Sequence, residues 1–218
     1  MSLIASSTGN GGSVKPIEAG SHVAVCYGLV DLGHQYNEKY QKSTAKILVM
    51  FEILDETFTT KEGKEMNRSI SSTYTKSLNE KSALYKDLIA WRGRPFTDEE
   101  LKGFDLKHIV GVPCMLSIVH EERNGSTYAN IASIMKLPKA MQGMVQPTLG
   151  KIIFDLDESE LSEMAVLPQW VQERIQKSDE YIDRVAGQGA GAEADYTEGG
   201  QPQGVFTDID DAEGELPF

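Results

Sequence analysis

Tyr36, Lys39, Tyr40 and Lys42 sit close together in a stretch that reads as a polar loop, Gly33 to Thr44 (GHQYNEKYQKST). Cations interleaved with aromatic rings suit one kind of chemistry. Ammonium groups meet phosphate oxygens, and ring faces stack on unpaired bases at about 1–3 kcal/mol per base, whatever the base. Further along, Lys46 opens an alternating run, and Arg68, Tyr74 and Lys76 fall at even spacing, on one face of any strand through them. Arg123, Tyr128 and Lys136 add a third group. Arg92 and Arg94, in Trp91-Arg92-Gly93-Arg94-Pro95, are either a phosphate clamp or partners for Asp98 and Glu99. Tyr27 and Trp91 read as core residues rather than stacking platforms.

A second constellation closes the chain. Asp208, Asp210, Asp211, Glu213 and Glu215 precede Leu216, Pro217 and Phe218. Phe218 can bury its ring in a small apolar pocket while the α-carboxylate meets a cation, and the acidic side chains attract a basic surface from a distance. A tail that serves only solubility has no need of a Leu-Pro-Phe end.

Signals for catalysis are absent. His22, His34, His108 and His120 show no metal-ligand spacing, and there is no phosphate-binding Gly-Lys-Ser/Thr loop and no Gly-x-Ser-x-Gly elbow. Asp155, Asp157, Glu158 and Glu160 lack the glycine and spacing of a calcium loop. Cys26 and Cys114 fall in apolar strands and read as buried, inert thiols. The expectation is a protein that is not an enzyme and needs no cofactor or metal.

The elements that must carry these residues are mostly strands. His22–Asp31, Lys46–Leu54, Arg68–Lys76, Pro113–His120 and Thr127–Lys136 have strand patterns. Asn124-Gly125 between the last two is a strong hairpin signal. Leu84, Leu88 and Trp91 lie at helical spacing, with Gly93 as the stop, and Thr97-Asp98-Glu99-Glu100 reads as a capping box that opens a short helix ending at Gly103. Lys151–Leu156 adds a possible strand. Pro168–Val185 predicts one helix, with Pro168 in its first position and Val171, Ile175, Ile182 and Val185 on one side. Three strands, a helical segment and a two-stranded hairpin follow the order of an OB-fold. The fold expected is mainly β: a five-stranded OB-fold barrel with a helical segment between strands 3 and 4, a C-terminal helix and a disordered acidic tail. The expected divisions are a flexible N-terminus over 1–15, a binding domain with a C-terminal extension over 16–185, and a disordered linker and acidic tip over 186–218.

Composition narrows the class. The 218 residues carry a net charge of −12, but residues 1–150 hold 17 Lys+Arg against 16 Asp+Glu, while residues 151–218 hold 4 against 17. A near-neutral body thus bears a strongly acidic end, an asymmetry typical of an interaction tail. Two cysteines support neither a disulfide framework nor a four-cysteine zinc site. No apolar run reaches the roughly 18 residues of a membrane helix, and the first residues do not read as a secretory signal. The expected setting is a reducing cytoplasm, without membrane partners.

An acidic tip ending in Pro-Phe, reached through a Gly/Gln-rich stretch after an OB-like barrel, resembles that of bacterial and phage single-stranded DNA-binding proteins. The tip matches at Asp210, Asp211, Leu216, Pro217 and Phe218; it departs in having Gly214 within the acidic run and Leu216 where Ile is common. Between Ser21 and Pro138 the body resembles a divergent phage and prophage group of these proteins in Val30-Asp31-Leu32-Gly33, Ser77-Leu78-Asn79-Glu80-Lys81-Ser82 and Trp91-Arg92-Gly93-Arg94-Pro95-Phe96-Thr97. The resemblance implies an OB-fold that coats single-stranded DNA without sequence specificity. It also implies a tip that recruits replication or recombination proteins, action in the cytoplasm of a bacterial host, and a possible homo-oligomer. An OB-like protein–protein adaptor without nucleic-acid binding is the alternative.

Overall fold

The structure, a computed structural model, describes residues 15–142, 145 and 147–189. β1 (Gly20–Asn37), β2 (Lys42–Thr59) and β3 (Glu65–Thr75) run antiparallel in sequence order. Three short helical pieces follow: α1 (Ala83–Arg92), α2 (Asp98–Lys102) and a 3-10 turn (Leu106–Ile109). β4 (Pro113–Arg123) and β5 (Ser126–Lys136) form a hairpin that joins the sheet through β1, giving the order β3-β2-β1-β4-β5. After the short α3 (Lys139–Gln142), β6 (Ile152–Phe154) pairs in parallel with Gly28–Val30 of β1. A 3-10 helix (Leu161–Val166), α4 (Gln169–Gln176) and α5 (Asp179–Gly189) complete the described chain. The fold is therefore β-rich, with a few helices. No described helix is long and apolar enough to cross a membrane.

Local signals account for the short elements. Ser82 caps α1 by accepting from the Tyr85 N–H, and Gly93 at φ 70° ends it by donating to the Ile89 carbonyl. Thr97 and Glu100 complete the capping box of α2. Asn124 and Gly125 have φ of 50° and 75°, the two positive values that a type I′ hairpin turn requires.

The strands are longer than their patterns predict. The stretch Gly33–Thr44 is not a loop: β1 and β2 continue through it, paired as far as Asn37 and Lys42, and leave only a turn over 38–41. β2 is buried on both faces from Ile47 to Ile53. Ile47, Val49, Phe51 and Ile53 point into a core with Leu84, Leu88 and Trp91 of α1, where the Phe51 and Trp91 ring centroids are 5.6 Å apart. Leu48 and Met50 point the opposite way, into a second core with Val30 and Leu32 of β1 and Phe154, Leu156, Met164, Leu167, Val171 and Ile175 of the C-terminal segment. Gly28 admits this packing, because a Cβ there would sit 2.2 Å from Met50 Cε. Residues 152–175 thus wrap across a face of β1 and β2 that a simple sheet would show to water.

Residues 168–185 form two helices, not one. Pro168 is the N-cap residue of α4 rather than its first helical position. The chain turns at Lys177-Ser178, where buried Ser178 donates to the Ile175 carbonyl and its oxygen accepts from the Tyr181 N–H, stopping one helix and starting the next. Val171 and Ile175 are buried, but Ile182 and Val185 are about half exposed, because the turn breaks the helical phase and α5 presents Tyr181 to the core instead. α5 continues through residues 186–189, which were expected to belong to the linker.

Candidate nucleic-acid interface

The β1–β2 turn gathers the first predicted group intact. The Tyr40 N–H donates to Asn37 Oδ1 at 3.2 Å, and the Gln41 N–H to the Glu38 carbonyl at 3.4 Å. This tight tip pushes its side chains outward: Tyr36 is 62% exposed and Tyr40 59%. Lys39 Nζ lies 5.5 Å from the Tyr40 ring centroid, close enough for a cation–π contact. Lys42 is exposed and pairs in register with Asn37.

Lys46 and Lys76 lie at the base of the same hairpin. Lys46 Nζ donates to Thr75 Oγ1 at 3.0 Å, and the Lys76 N–H donates to the Ala45 carbonyl. Lys76 Nζ is 2.6 Å from an Asp31 carboxylate oxygen. Burial works to lower the Lys76 pKa, but the Asp31 contact outweighs it and the net direction is upward.

The other cations are held inside the protein's own ion pairs. Arg68 faces the inner side of β3 and pairs with Glu56 at 3.1 Å, both side chains being less than a fifth exposed. Arg92 and Arg94 converge on Glu100, not on Asp98 and Glu99, because the capping box folds the Glu100 side chain back over the start of α2. Hydrogen bonds from Arg94, the Thr97 N–H and Arg92 hold the Glu100 carboxyl down at about 2. Arg92 also lies 4.3 Å from the Phe96 ring centroid and 5.0 Å from that of Phe104. Arg123 makes a two-pronged contact with Glu121 at 2.7 and 2.8 Å.

Tyr74, expected among the DNA-binding residues, is instead a core residue. It is 5% exposed, lies in the inner core opposite Ile47, and donates its hydroxyl to Asp87 at 2.8 Å. Burial drives its hydroxyl pKa far upward. Even spacing rightly put Arg68 and Tyr74 on one side of β3, but that side faces the core. Tyr128 is half exposed on β5, across from Glu121, and Lys136 is exposed beside Gly93. The β4–β5 tip, with Arg123, lies beyond the start of β1, whereas the β1–β2 tip lies beyond its end, so the two groups occupy opposite ends of that strand. Cys26 and Cys114 are fully buried; burial pushes the Cys26 thiol up to about 12 and the Cys114 thiol well above its ordinary value. The acidic tip, Asp208 to Phe218, lies outside the described residues.

Two arrangements had no signature in the sequence. Glu52, fully buried on the outer side of β2, accepts from the Thr148 hydroxyl and N–H, the Leu149 N–H and Asn67 Nδ2. Burial raises its pKa, but these donors outweigh burial and hold it below the ordinary value, so Glu52 pins the chain that leads into the C-terminal wrap. The second is a cleft of about 190 Å³ between β1, the Phe104–Lys107 segment and β6. Its residues come from five separated stretches, around Leu29, Ile47, Lys76, Phe104 and Ile153, which no spacing rule connects.

No family model matches this chain, and no curated protein matches it either.

Proposed function

We propose that this protein binds single-stranded DNA with little sequence preference, in phage or prophage replication or recombination. The observation that carries the reading is the β1–β2 tip, where two tyrosines stand mostly in solvent among Lys39 and Lys42. Large aromatic rings are usually buried, and two exposed together among cations suit stacking on bases with phosphates alongside. An OB-type barrel is proposed for the body. Its support is the strand order β3-β2-β1-β4-β5, the helix α1 between β3 and β4, and the approach of β3 to β5 within 8 Å between Cα atoms. The acidic tip is proposed to recruit replication or recombination proteins.

The rival is an OB-like protein–protein adaptor. What favours it is charge: residues 15–189 hold 21 Lys+Arg against 25 Asp+Glu, and Arg68, Arg92, Arg94 and Arg123 all face carboxylates.

Titrating a fluorescently labelled oligonucleotide into the full chain tests the choice. Micromolar or tighter binding is expected, with log affinity falling against log salt by about 0.7 for each phosphate neutralised. Replacing Tyr36 and Tyr40 by Ala should each weaken binding by about 1–3 kcal/mol if that ring stacks, and Phe should restore it. An unchanged affinity in both Ala variants places the strand elsewhere; no binding by the parent leaves the adaptor.

A further inference from the structure

The cleft beside β6 has features that the proposed strand track at the hairpin tip lacks. Its floor is apolar, made by Leu29 of β1, Ile47 of β2 and Ile153 of β6. Phe104 forms one wall; its ring is held edge-on to Phe96 with centroids 5.2 Å apart, so it is fixed before anything enters. Around this floor stand two ion pairs: Lys76 with Asp31 at 2.6 Å, and Lys107 with Asp155 at 3.0 Å. Asp105 adds a further carboxylate, and Lys107 also reaches Glu158 at 2.5 Å.

Size and charge restrict the occupant. About 190 Å³ is below the roughly 300–1,000 Å³ of pockets that take drug-sized molecules, so the occupant is a single small ring system. The three lining carboxylates, Asp31, Asp105 and Asp155, outnumber the two ammonium groups and repel a phosphate. A neutral, flat heterocycle fits better: its faces lie on the apolar floor, its amino group donates to a carboxylate, and its ring nitrogen or carbonyl accepts from a lysine. Paired carboxylates and ammonium groups keep unused lone pairs and N–H bonds for this. Cytosine and adenine carry such an amino donor; thymine presents a carbonyl in its place.

The cleft also lies on the proposed path of the strand. Asp31 and Ile47, register partners in the hairpin, belong to it, and Lys42 at the tip is about 17 Å away at the usual rise per strand residue. We infer that this cleft is a base-binding subsite, which takes one unpaired cytosine or adenine from a single strand lying along the β1–β2 hairpin while the phosphates stay outside near Lys42 and Lys46. The inference rests on the single-strand reading for its biological setting, but the cleft can be tested without it.

Two measurements decide the matter. First, the full ¹⁵N-labelled chain is titrated to roughly millimolar levels with free 2′-deoxycytidine, thymidine and, separately, arginine. Deoxycytidine should move the amide signals of Asp31, Phe104, Lys107 and Ile153, and thymidine should move them less. Signals that no nucleoside moves, or that only arginine moves, overturn the inference; the latter result would make the cleft a seat for a cationic side chain. Second, Ile153→Trp closes the cleft from a position that is 41% exposed, so the fold should survive, as circular dichroism would show. This variant should lose the deoxycytidine shifts and bind oligodeoxycytidylate about tenfold more weakly. A folded variant that binds the oligonucleotide like the parent overturns the subsite and leaves the single-strand reading standing. If the parent binds no oligonucleotide, the functional reading fails and the nucleoside titration alone decides the cleft.

Discussion

Tyr40 and Tyr74 carry the same ring into opposite environments, and only one of them is available to a ligand. Tyr40 stands at a turn, with its ring in solvent beside Lys39. Tyr74 fills the inner core and satisfies a partly buried carboxylate, since burial works to raise the Asp87 pKa while the Tyr74 hydroxyl opposes it. Tyr74→Ala should therefore cost about 3 kcal/mol of folding stability through the cavity it leaves. Tyr74→Phe keeps the ring, removes only the donor to Asp87, and should cost about 1 kcal/mol. Urea unfolding of both variants checks this order; equal losses would mean that the hydroxyl, not the ring volume, matters most. The arginines repeat the lesson. A guanidinium beside its own carboxylate, as with Arg92 and Arg94 on Glu100, is spent on the fold, and its charge is largely cancelled toward phosphates.

Among the elements, α5 is held by polar contacts at its first turn. Glu180 accepts from the His34 backbone N–H at 2.7 Å and meets the His34 ring, and Asp179 accepts from Ser43 Oγ at 3.1 Å. The contact with Glu180 raises the His34 pKa above its ordinary 6.5, with burial opposing and Asp179 and Asp31 adding to it. The docking contributed by the protonated ring is then complete below about 6.5 and is lost as pH rises through the raised value. Burial alone would raise the Glu180 pKa, but the His34 ring and N–H reverse that and lower it. Its share is present above about 4.5 and is lost as pH falls through the lowered value. α5 should thus be held most firmly between about pH 4.5 and 6.5. Hydrogen exchange of the α5 amides, corrected for the intrinsic pH dependence, should show the greatest protection in that window. His34→Gln should flatten its alkaline side; unchanged alkaline loss in that variant would assign it to another group.

At the scale of the whole molecule, charge is the organising feature. Every one of the 21 Lys+Arg lies within residues 15–189, and eight Asp+Glu follow without a single cation. If that acidic end competes with phosphates for the hairpin lysines, its tether keeps it at an effective concentration of roughly millimolar. Deleting residues 205–218 should then raise affinity for single strands, most at low salt where screening is weak. Removing Phe218 alone takes away no acidic side chain, so it should leave DNA affinity nearly unchanged while abolishing capture of a replication partner. Parallel salt titrations and pull-downs with the two variants separate these effects. Equal affinity with and without residues 205–218 at low salt would rule out competition.

What the sequence determined by itself was whatever depends on neighbours along the chain. The β4–β5 turn at Asn124-Gly125, the stop of α1 at Gly93 and the capping box at Thr97 follow from backbone preferences and side-chain reach within a few residues. The exposed tip with Tyr36, Lys39, Tyr40 and Lys42 was legible for the same reason, although its flanks are strand rather than loop: turn residues carry their own polarity. Burial was not local. Period-two spacing assigned Arg68 and Tyr74 to one face but could not say which face meets the core, because that depends on α1 packing from elsewhere in the chain. The alternation of β2 separates Ile47, Val49, Phe51 and Ile53 from Leu48 and Met50, but what covers Leu48 and Met50, residues 152–175, meets them only after the chain has returned across the sheet. The cleft and the carboxylate hook at Glu52 belong to the same class. Each brings together groups from distant segments, and only the tertiary structure decides whether such groups meet, since the spacing that matters is then measured through space and not along the chain.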